Sequence, residues 1–318
     1  MKYIKLFDID SDRVSYEDSE NYIEPYVSYV EEDYSVHYNK PEETKLVVYY
    51  DIQDISAPTT IFTNYDNSVK SIEVDGTLLD SVVTTYQFGS VGEHVVKFEF
   101  NNPTIVGNNA PLLYQLLTVK RVVIPDTFTA IGSNAFNGCS GLTTVSIGNG
   151  VTSIGNNAFI SCFSLTSIII PDNVTSIGDS AFQNCTGLTS VTISNDVISI
   201  SNYAFSDCTR LTSVIIGNNV TSINRGAFKN CISLTSIIIP DNVTSISNEA
   251  FMRCYKLESI VSLAMTAPSI EGNTFSEVKD NGVLTVPSGS NGYDESTNHW
   301  LYDCEYYLGY YNWTKVEQ

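Results

Sequence analysis

Six cysteines raise the first chemical question in this chain, because Cys139, Cys162, Cys185, Cys208, Cys231 and Cys254 follow one another every 23 residues. A cysteine can close a disulfide, ligate a metal or act as a nucleophile. The spacing favours none of these. There is no C-x-x-C pair, and no histidine falls in phase with the series to complete a metal site. A fixed period instead assigns the six thiols to one slot of successive units, about 5 Å apart if the units stack as strands do. Buried free thiols, acting as small apolar groups, are the expectation. Cys304 stands outside the series and its state is left open.

The rest of the chemical inventory is thin. The run Asp8-Ile9-Asp10-Ser11-Asp12 invites a calcium reading. Arg13 stands where an EF-hand loop needs glycine, however, and Ser19 where it needs a bidentate glutamate, so a solvated charge run is expected. His37, His94 and His299 lie in three different regions, which argues against a histidine-based triad. No G-x-S-x-G, phosphate loop or dinucleotide fingerprint occurs. Acids inside the repeats, such as Asp172 and Asp241, are turn residues suited to local backbone hydrogen bonds, not the facing carboxylates of a glycosidase. The glycosylation triplets at Asn173, Asn219 and Asn242 arise from the same turn consensus. We expect no enzyme, no cofactor and no metal.

The cysteines must be positioned by a repeated element. The stretch from Val174 to Asn195 matches itself when slid by 23 residues either way, and Phe136, Phe159, Phe182, Phe205, Phe228 and Phe251 keep step with the thiols. Such a period marks a stack of like supersecondary units. In one unit, Leu165, Ile168 and Ile170 turn inward from a strand, Pro171-Asp172-Asn173 is a turn, and Val174-x-x-Ile177 is a second short strand. Ser180-Ala181-Phe182-x-x-Cys185 is expected as a short helical turn whose phenyl ring plugs the interior. No unit can bury its own Phe, Cys and Leu, so stacking supplies the core. Leu112, Leu113 and Leu116 fill the Ala, Phe and Cys slots of a degenerate first repeat, and Phe275, Leu284 and Val286 keep an altered last one.

The predicted fold is therefore a mainly β repeat protein, a leucine-rich-repeat solenoid over residues 112–287 preceded by a small antiparallel β-sandwich over 44–102. Candidate sandwich strands are Lys45–Asp51, Thr59–Thr63, Val69–Val74, Val82–Phe88 and His94–Phe100, with turns at Asp75-Gly76 and Val91-Gly92. Residues 103–111 read as a linker and 288–318 as an aromatic cap over the open end of the stack. Residues 1–43 form an acidic, tyrosine-rich arm too poor in aliphatics to build a core. Its Tyr16, Tyr22, Tyr26, Tyr29, Tyr34 and Tyr38 are candidate anchors to a larger protein assembly.

Charge narrows the partners. Of a formal net charge of −20, residues 1–118 carry 20 acids against 7 bases, while residues 119–254 hold 7 against 6. An acidic front end repels nucleic acid and anionic membrane, and no window is apolar enough to span a bilayer. The opening Met1-Lys-Tyr-Ile-Lys-Leu-Phe-Asp lacks the apolar run of a secretory signal, so synthesis without export is expected.

The pattern L-T-S-I-x-I-P-D-x-V-T-S-I-G-x-x-A-F-x-x-C resembles the BspA-like leucine-rich repeat family over residues 112–300. Ala267-Pro268, Val286-Pro287-Ser288-Gly289-Ser290, Tyr293 and Trp300 resemble that family's C-terminal cap. The resemblance implies adhesion and recognition at microbial surfaces without catalysis. The front segments M-K-Y-I-K-L-F, Tyr26-Val27-Ser28-Tyr29 and Val36-His37-Tyr38-Asn39-Lys40 resemble virion structural proteins of crAss-like phages of gut Bacteroidetes. That resemblance implies a place on a virion, the expected location; a bacterial cell surface is the alternative.

Two surfaces are candidates for contact. Between the last two inward positions of each strand one residue points outward, giving the column Val123, Ser146, Ile169, Thr192, Ile215, Ile238, Val261 and Thr285. Exposed apolar surface of this kind marks interaction sites, although strand propensity selects the same residues. The threonine ladder beside it, Thr143 to Thr235, is expected to be structural. In the cap, Trp300, Tyr310, Tyr311 and Trp313 are either a cover for the stack or a sugar or protein contact. The expected protein is a non-enzymatic, virion-attached adhesin whose solenoid meets a host surface protein or glycan, with a bacterial surface adhesin and a ligand-free decoration protein as alternatives. A homo-oligomer is compatible with all three.

Overall fold

The computed structural model describes residues 44–63, 69–101, 105–106, 112–293, 300–301 and 307–318. The chain divides into two compact units, Met1–Glu42 and Glu43–Gln318, and every described residue belongs to the second. The six arm tyrosines, His37, His299 and Cys304 lie outside the described residues.

Strands precede the first full coil as β1 (Leu46–Ile52), β2 (Thr59–Thr60), β3 (Val69–Val74), β4 (Thr77–Leu78), β5 (Thr85–Tyr86), β6 (Gly92–Phe100) and β7 (Ile105–Val106). Each coil then supplies one longer and one two-residue strand: β8 (Val119–Ile124) and β9 (Ala130–Ile131), β10 (Thr144–Ile147) and β11 (Ser153–Ile154), β12 (Ser167–Ile169) and β13 (Ser176–Ile177). The series continues with β14 (Ser190–Thr192) and β15 (Ser199–Ile200), β16 (Ser213–Ile215) and β17 (Ser222–Ile223), β18 (Ser236–Ile239) and β19 (Ser245–Ile246), β20 (Ser259–Ser262) and β21 (Ser269–Ile270). It closes with β22 (Val283–Val286) and β23 (Thr314–Glu317). All solenoid pairs are parallel and offset by one coil, as in Ile168↔Val191↔Val214 and Ile177↔Ile154↔Ile131.

The interior follows the repeat. Leu165, Ile168, Ile170, Val174, Ile177, Ala181, Phe182 and Cys185 are all buried, and so are their counterparts in neighbouring coils except the partly buried Ile147. From Phe136 to Phe275 the phenyl rings lie nearly parallel at centroid spacings of 5.0–5.7 Å. Such spacing suits offset stacking of aromatic quadrupoles. Trp300 ends the column at 5.2 Å from Phe275, tilted by 49°, with its indole N–H donating to the Pro268 carbonyl at 2.9 Å. At the other end Leu113 occupies the Phe slot, fully buried.

Three expectations need correction. First, the Ala-Phe segments are not helical: the described residues contain no α-helix, only a 3-10 helix at Leu308–Tyr311. Ala181 and Cys185 donate to carbonyls three residues back, but Ser180 and Asn184 adopt left-handed φ values of 56° and 62°, which stop a helix from propagating. Freed from a helix, the Phe182 N–H donates at 2.8 Å to Ala204 in the next coil, so the turns too are stitched coil to coil. Second, the N-terminal sandwich is not a separate module. Its main sheet runs on into the solenoid in the order β10-β8-β1-β6-β3-β4, because β1 pairs antiparallel with both β6 and β8. Only β2 and β5 form a second, two-stranded sheet, and one hydrophobic core runs from Leu46 to Trp313. Third, the 103–111 linker contains β7, which pairs parallel with β9 and buries Val106 fully. The two-residue strands of the solenoid thus begin at Ile105.

The final strand, β23, extends the longer-strand sheet beyond β22, and Trp313 packs on Gly282, where an added Cβ would sit 2.3 Å from the indole ring.

Candidate functional site

The residues with chemical potential are disarmed one by one. All six periodic cysteines are free and buried, and each directs its thiol at a backbone carbonyl, as Cys185 does to Phe159 at 3.2 Å. Burial pushes the Cys185 thiol up to about 12, so a nucleophilic thiolate is absent at neutral pH. Among the described residues no group of three or more His, Cys, Asp or Glu side chains could hold a metal ion, and no helix is long and apolar enough to cross a membrane.

The fold does bring one suggestive trio together that the sequence keeps apart. His94 Nδ1 lies 2.7 Å from an Asp75 carboxylate oxygen, and its Nε2 lies 3.4 Å from the Ser90 hydroxyl. A hydrolase would use these three groups, but a closer partner occupies Nε2: the Ser90 carbonyl oxygen, at 2.9 Å. Both ring nitrogens therefore face acceptors, which calls for a proton on each and leaves no basic lone pair for the serine. Burial pulls the His94 pKa down, but the hydrogen bonds to Asp75 and Ser90 outweigh it and the net shift is upward. This trio is a structural clasp between the β3–β4 turn and the Ser90 loop.

The strand column points outward from Val123 to Val261, but Thr285 at its end is buried, 8% exposed beside β23. Ile169, Thr192 and Ile215 sit side by side across β12, β14 and β16, and Ile238 and Val261 across β18 and β20. Ile169 and Ile238 are the prominent members, 65% and 55% exposed; Val123, Thr192, Ile215 and Val261 are half-buried. Val123 abuts Val47 of β1, so the column continues onto the N-terminal sheet. Next to it runs a serine column, Ser167↔Ser190↔Ser213 and Ser236↔Ser259. The threonine ladder is structural: Thr189 and Thr212 spend their hydroxyls on the carbonyls of Thr166 and Thr189, at 3.0 and 3.1 Å. From Thr144 to Val261 no outward slot of these strands carries a charge. The face is uncharged, with hydroxyls flanking a row of branched aliphatics.

The cap aromatics divide. Trp300 and Trp313 are buried, so of the two readings they take the cover and not the contact: one seals the phenylalanine column, the other packs on Gly282 and donates its N–H to the Lys279 carbonyl at 2.8 Å. Tyr310 is 52% exposed and meets Tyr311 edge-on at 5.1 Å. Together they wall a cleft of about 520 Å³ on the turn side of the last coils, whose other walls are Lys229, Glu249, Asn273 and Glu277, with Met252 and Ser276 beneath.

Opposite charges pair around this cleft, three cations with two carboxylates. Glu249 is held by Lys229 at 2.6 Å and Arg225 at 2.8 Å, and the Lys229 hydrogen bond keeps its carboxyl below the usual range despite partial burial. Glu277 binds Arg253 at 3.0 Å and the Tyr255 hydroxyl at 3.1 Å. Its backbone N–H donates at 2.6 Å to the Tyr311 hydroxyl, which locks that ring in place. Sequence reasoning found the two tyrosines and missed the rest. The available signal was a departure from consensus: Glu249, Arg253 and Glu277 stand at left-handed positions, with φ of 61–64°, where earlier coils place Asn134, Asn157, Asn184 or Gly226.

A family profile described as "BspA type Leucine rich repeat region" matches the chain in six copies over residues 105–234 and 198–304. No curated protein matches the chain closely enough to count as a relative. Among solved structures, a leucine-rich repeat protein from Bacteroides ovatus is 26% identical with a TM-score of 0.53, covering 71% of this chain and 60% of its own. One from Eubacterium ventriosum is 28% identical with a TM-score of 0.50, covering 57% of this chain and 48% of its own. A leucine rich cell surface protein from Faecalibacterium prausnitzii is 28% identical with a TM-score of 0.44, covering 58% and 59%. The chain thus spans about half to three fifths of these three proteins.

Proposed function

Because this chain belongs to the BspA-type leucine-rich repeat family, we propose that it is a non-enzymatic recognition protein of a bacterial cell surface that contacts a partner protein through its strand face. The observation that carries the reading is the uncharged column with Ile169 and Ile238 standing 65% and 55% exposed in a wall of serine and threonine. Apolar side chains presented on a flat, rigid sheet lose little entropy when a partner covers them. The disarmed cysteines and the clasped His94 support binding over catalysis. A place on a virion, raised by the opening residues, has no finding behind it, whereas the three solved relatives come from bacteria. Residues 1–43 would serve as the attachment arm to a larger assembly.

Three measurements test this reading. Immunogold labelling of the producing cells should decorate the envelope; label confined to the cell interior or to phage particles would overturn it. Beads coated with the full chain should adhere to cultured host epithelial cells, and Ile169→Asp with Ile238→Asp should cut adhesion about tenfold or more. Undiminished adhesion by that double variant would remove the strand face from the account. Deleting residues 1–43 should abolish attachment to the producing cell while leaving solenoid melting unchanged.

A further inference from the structure

We propose that the cleft beside Tyr310 is a binding site for a neutral saccharide, distinct from the strand face. The cleft departs from the rest of the solenoid in three respects. Charged residues are sparse in the repeats, yet Arg225, Lys229, Glu249, Arg253 and Glu277 gather around it and pair among themselves. Three of them occupy left-handed backbone positions that favour glycine and asparagine, with φ of 64° at Glu249, 63° at Arg253 and 61° at Glu277, whereas elsewhere in the stack such long side chains stand there singly, at Gln115 and Tyr203. A long side chain in that region carries backbone strain of order 1 kcal/mol, and strain of this kind collects at functional sites.

The third respect is unspent hydrogen-bonding capacity. Ser276 lines the cleft and is only 8% exposed. Beside it the half-buried Asn273 brings a side-chain amide to the same cleft. A ligand hydroxyl can take the place of water on both groups. Glu249 and Glu277 retain acceptor lone pairs beyond those their cations use, but their charge is already balanced, so the cleft offers acceptors without a strong field.

Tyr310 supplies the other half of the recognition. Its half-exposed ring is braced edge-on by Tyr311, itself fixed by the Glu277 N–H. A flat aromatic wall opposite convergent amide, hydroxyl and carboxylate groups suits a ligand with an apolar C–H face and a rim of hydroxyls, which describes a pyranose ring. A volume of about 520 Å³ admits a mono- or disaccharide. Of the charged groups only Lys229, Glu249 and Glu277 line the cleft itself, so an acidic sugar would meet two carboxylates against one ammonium, and a neutral one meets no such repulsion.

The test uses the full chain with N-acetylglucosamine, chitobiose, lactose and cellobiose at millimolar concentration, and glucuronate as the acidic probe. Ligand-observed saturation-transfer NMR should show contact with at least one neutral probe and weaker contact with glucuronate. Tyr310→Phe, which keeps the ring, should retain binding, while Tyr310→Ala should weaken it about tenfold or more. Ser276→Ala is the second variant, read by the same loss, should Tyr310→Ala disturb the cap. Ile169→Asp with Ile238→Asp should leave saccharide binding intact, which separates this site from the adhesive face. Absence of contact with every neutral probe, a preference for glucuronate, or binding that survives both Tyr310→Ala and Ser276→Ala would each overturn the proposal.

Discussion

Along the solenoid, Phe136 through Phe275 each meet a neighbour of the same kind at 5.0–5.7 Å and within 11° of parallel. In the sheet of residues 46–100, Tyr50, Phe62, Phe88 and Phe98 meet their aromatic neighbours at 34° to 74°, each contact made once. The solenoid solves one packing problem and copies it by translation; the sheet solves several different ones. Polar groups follow the same division. Solenoid hydroxyls and thiols repeat a single bond to a carbonyl in the preceding coil, whereas the sheet relies on individual locks, the buried Tyr50 hydroxyl on the Ile61 carbonyl and His94 between Asp75 and Ser90. Repetition spreads stability over many equivalent contacts, and a unique packing concentrates it in a few.

The largest break in this comparison comes from the middle of the stack. Phe182→Ala would leave Phe159 and Phe205 facing an apolar gap that neither can fill, since each is held in its own coil. The expected loss is about 3–5 kcal/mol by urea denaturation. Labelling of the six thiols supplies the second probe. In the native protein the buried cysteines should stay unlabelled at neutral pH, and in the variant labelling should rise in step with unfolding. Rapid labelling of the folded wild-type chain would break the picture of a sealed spine.

A smaller effect is expected where repetition ends. Gly282→Ala would drive a methyl group into the Trp313 ring, whose nearest atom would be 2.3 Å from the new Cβ. The cap strand β23 depends on that contact, because Trp313 precedes it and β23 pairs only with β22 among the described strands. A loss of about 1–3 kcal/mol is expected, with hydrogen exchange rising first in residues 314–317 and not in the middle coils. Uniform exchange along the whole solenoid would show that the cap is not a separable end.

Repetition also explains what could be read from the sequence. Phe and Cys each recur six times at a 23-residue spacing, so one noisy slot cannot hide it, and the burial of each followed from position alone. The N-terminal strands were legible as strands, Val69–Val74 to the residue, because period-two alternation is local. Their attachment was not: Val47 pairs with Val123, and nothing in either segment names a partner so far away. The turns were misjudged because φ is set by the stack, which holds Tyr203, Glu249 and Arg253 in a region their side chains disfavour. The cleft was only half legible. An aromatic-rich tail does not say that Trp300 is buried and Tyr310 exposed; that depends on which ring reaches the open end of the phenylalanine column.

The smallest predicted effect concerns the sheet alone. His94 has its pKa raised in the folded protein: burial lowers it, and the hydrogen bonds to Asp75 and Ser90 more than compensate. The charged group facing the ring is Asp75, which also accepts the Val95 N–H at 2.9 Å and so is fixed in place. A group whose folded pKa lies above its unfolded value stabilises the fold fully below the unfolded pKa, about 6.5 for histidine, and loses that contribution as pH climbs through the folded value. The wild-type urea midpoint should therefore fall modestly between about pH 5.5 and pH 8.5, beyond any change shared with His94→Gln. The sheet's own probe, exchange at residues 92–100, should register the loss while the middle coils, which have no counterpart of this clasp, stay unchanged. An identical pH dependence in wild type and His94→Gln would show that the clasp contributes nothing, and that the sheet, like the stack, stands on apolar packing alone.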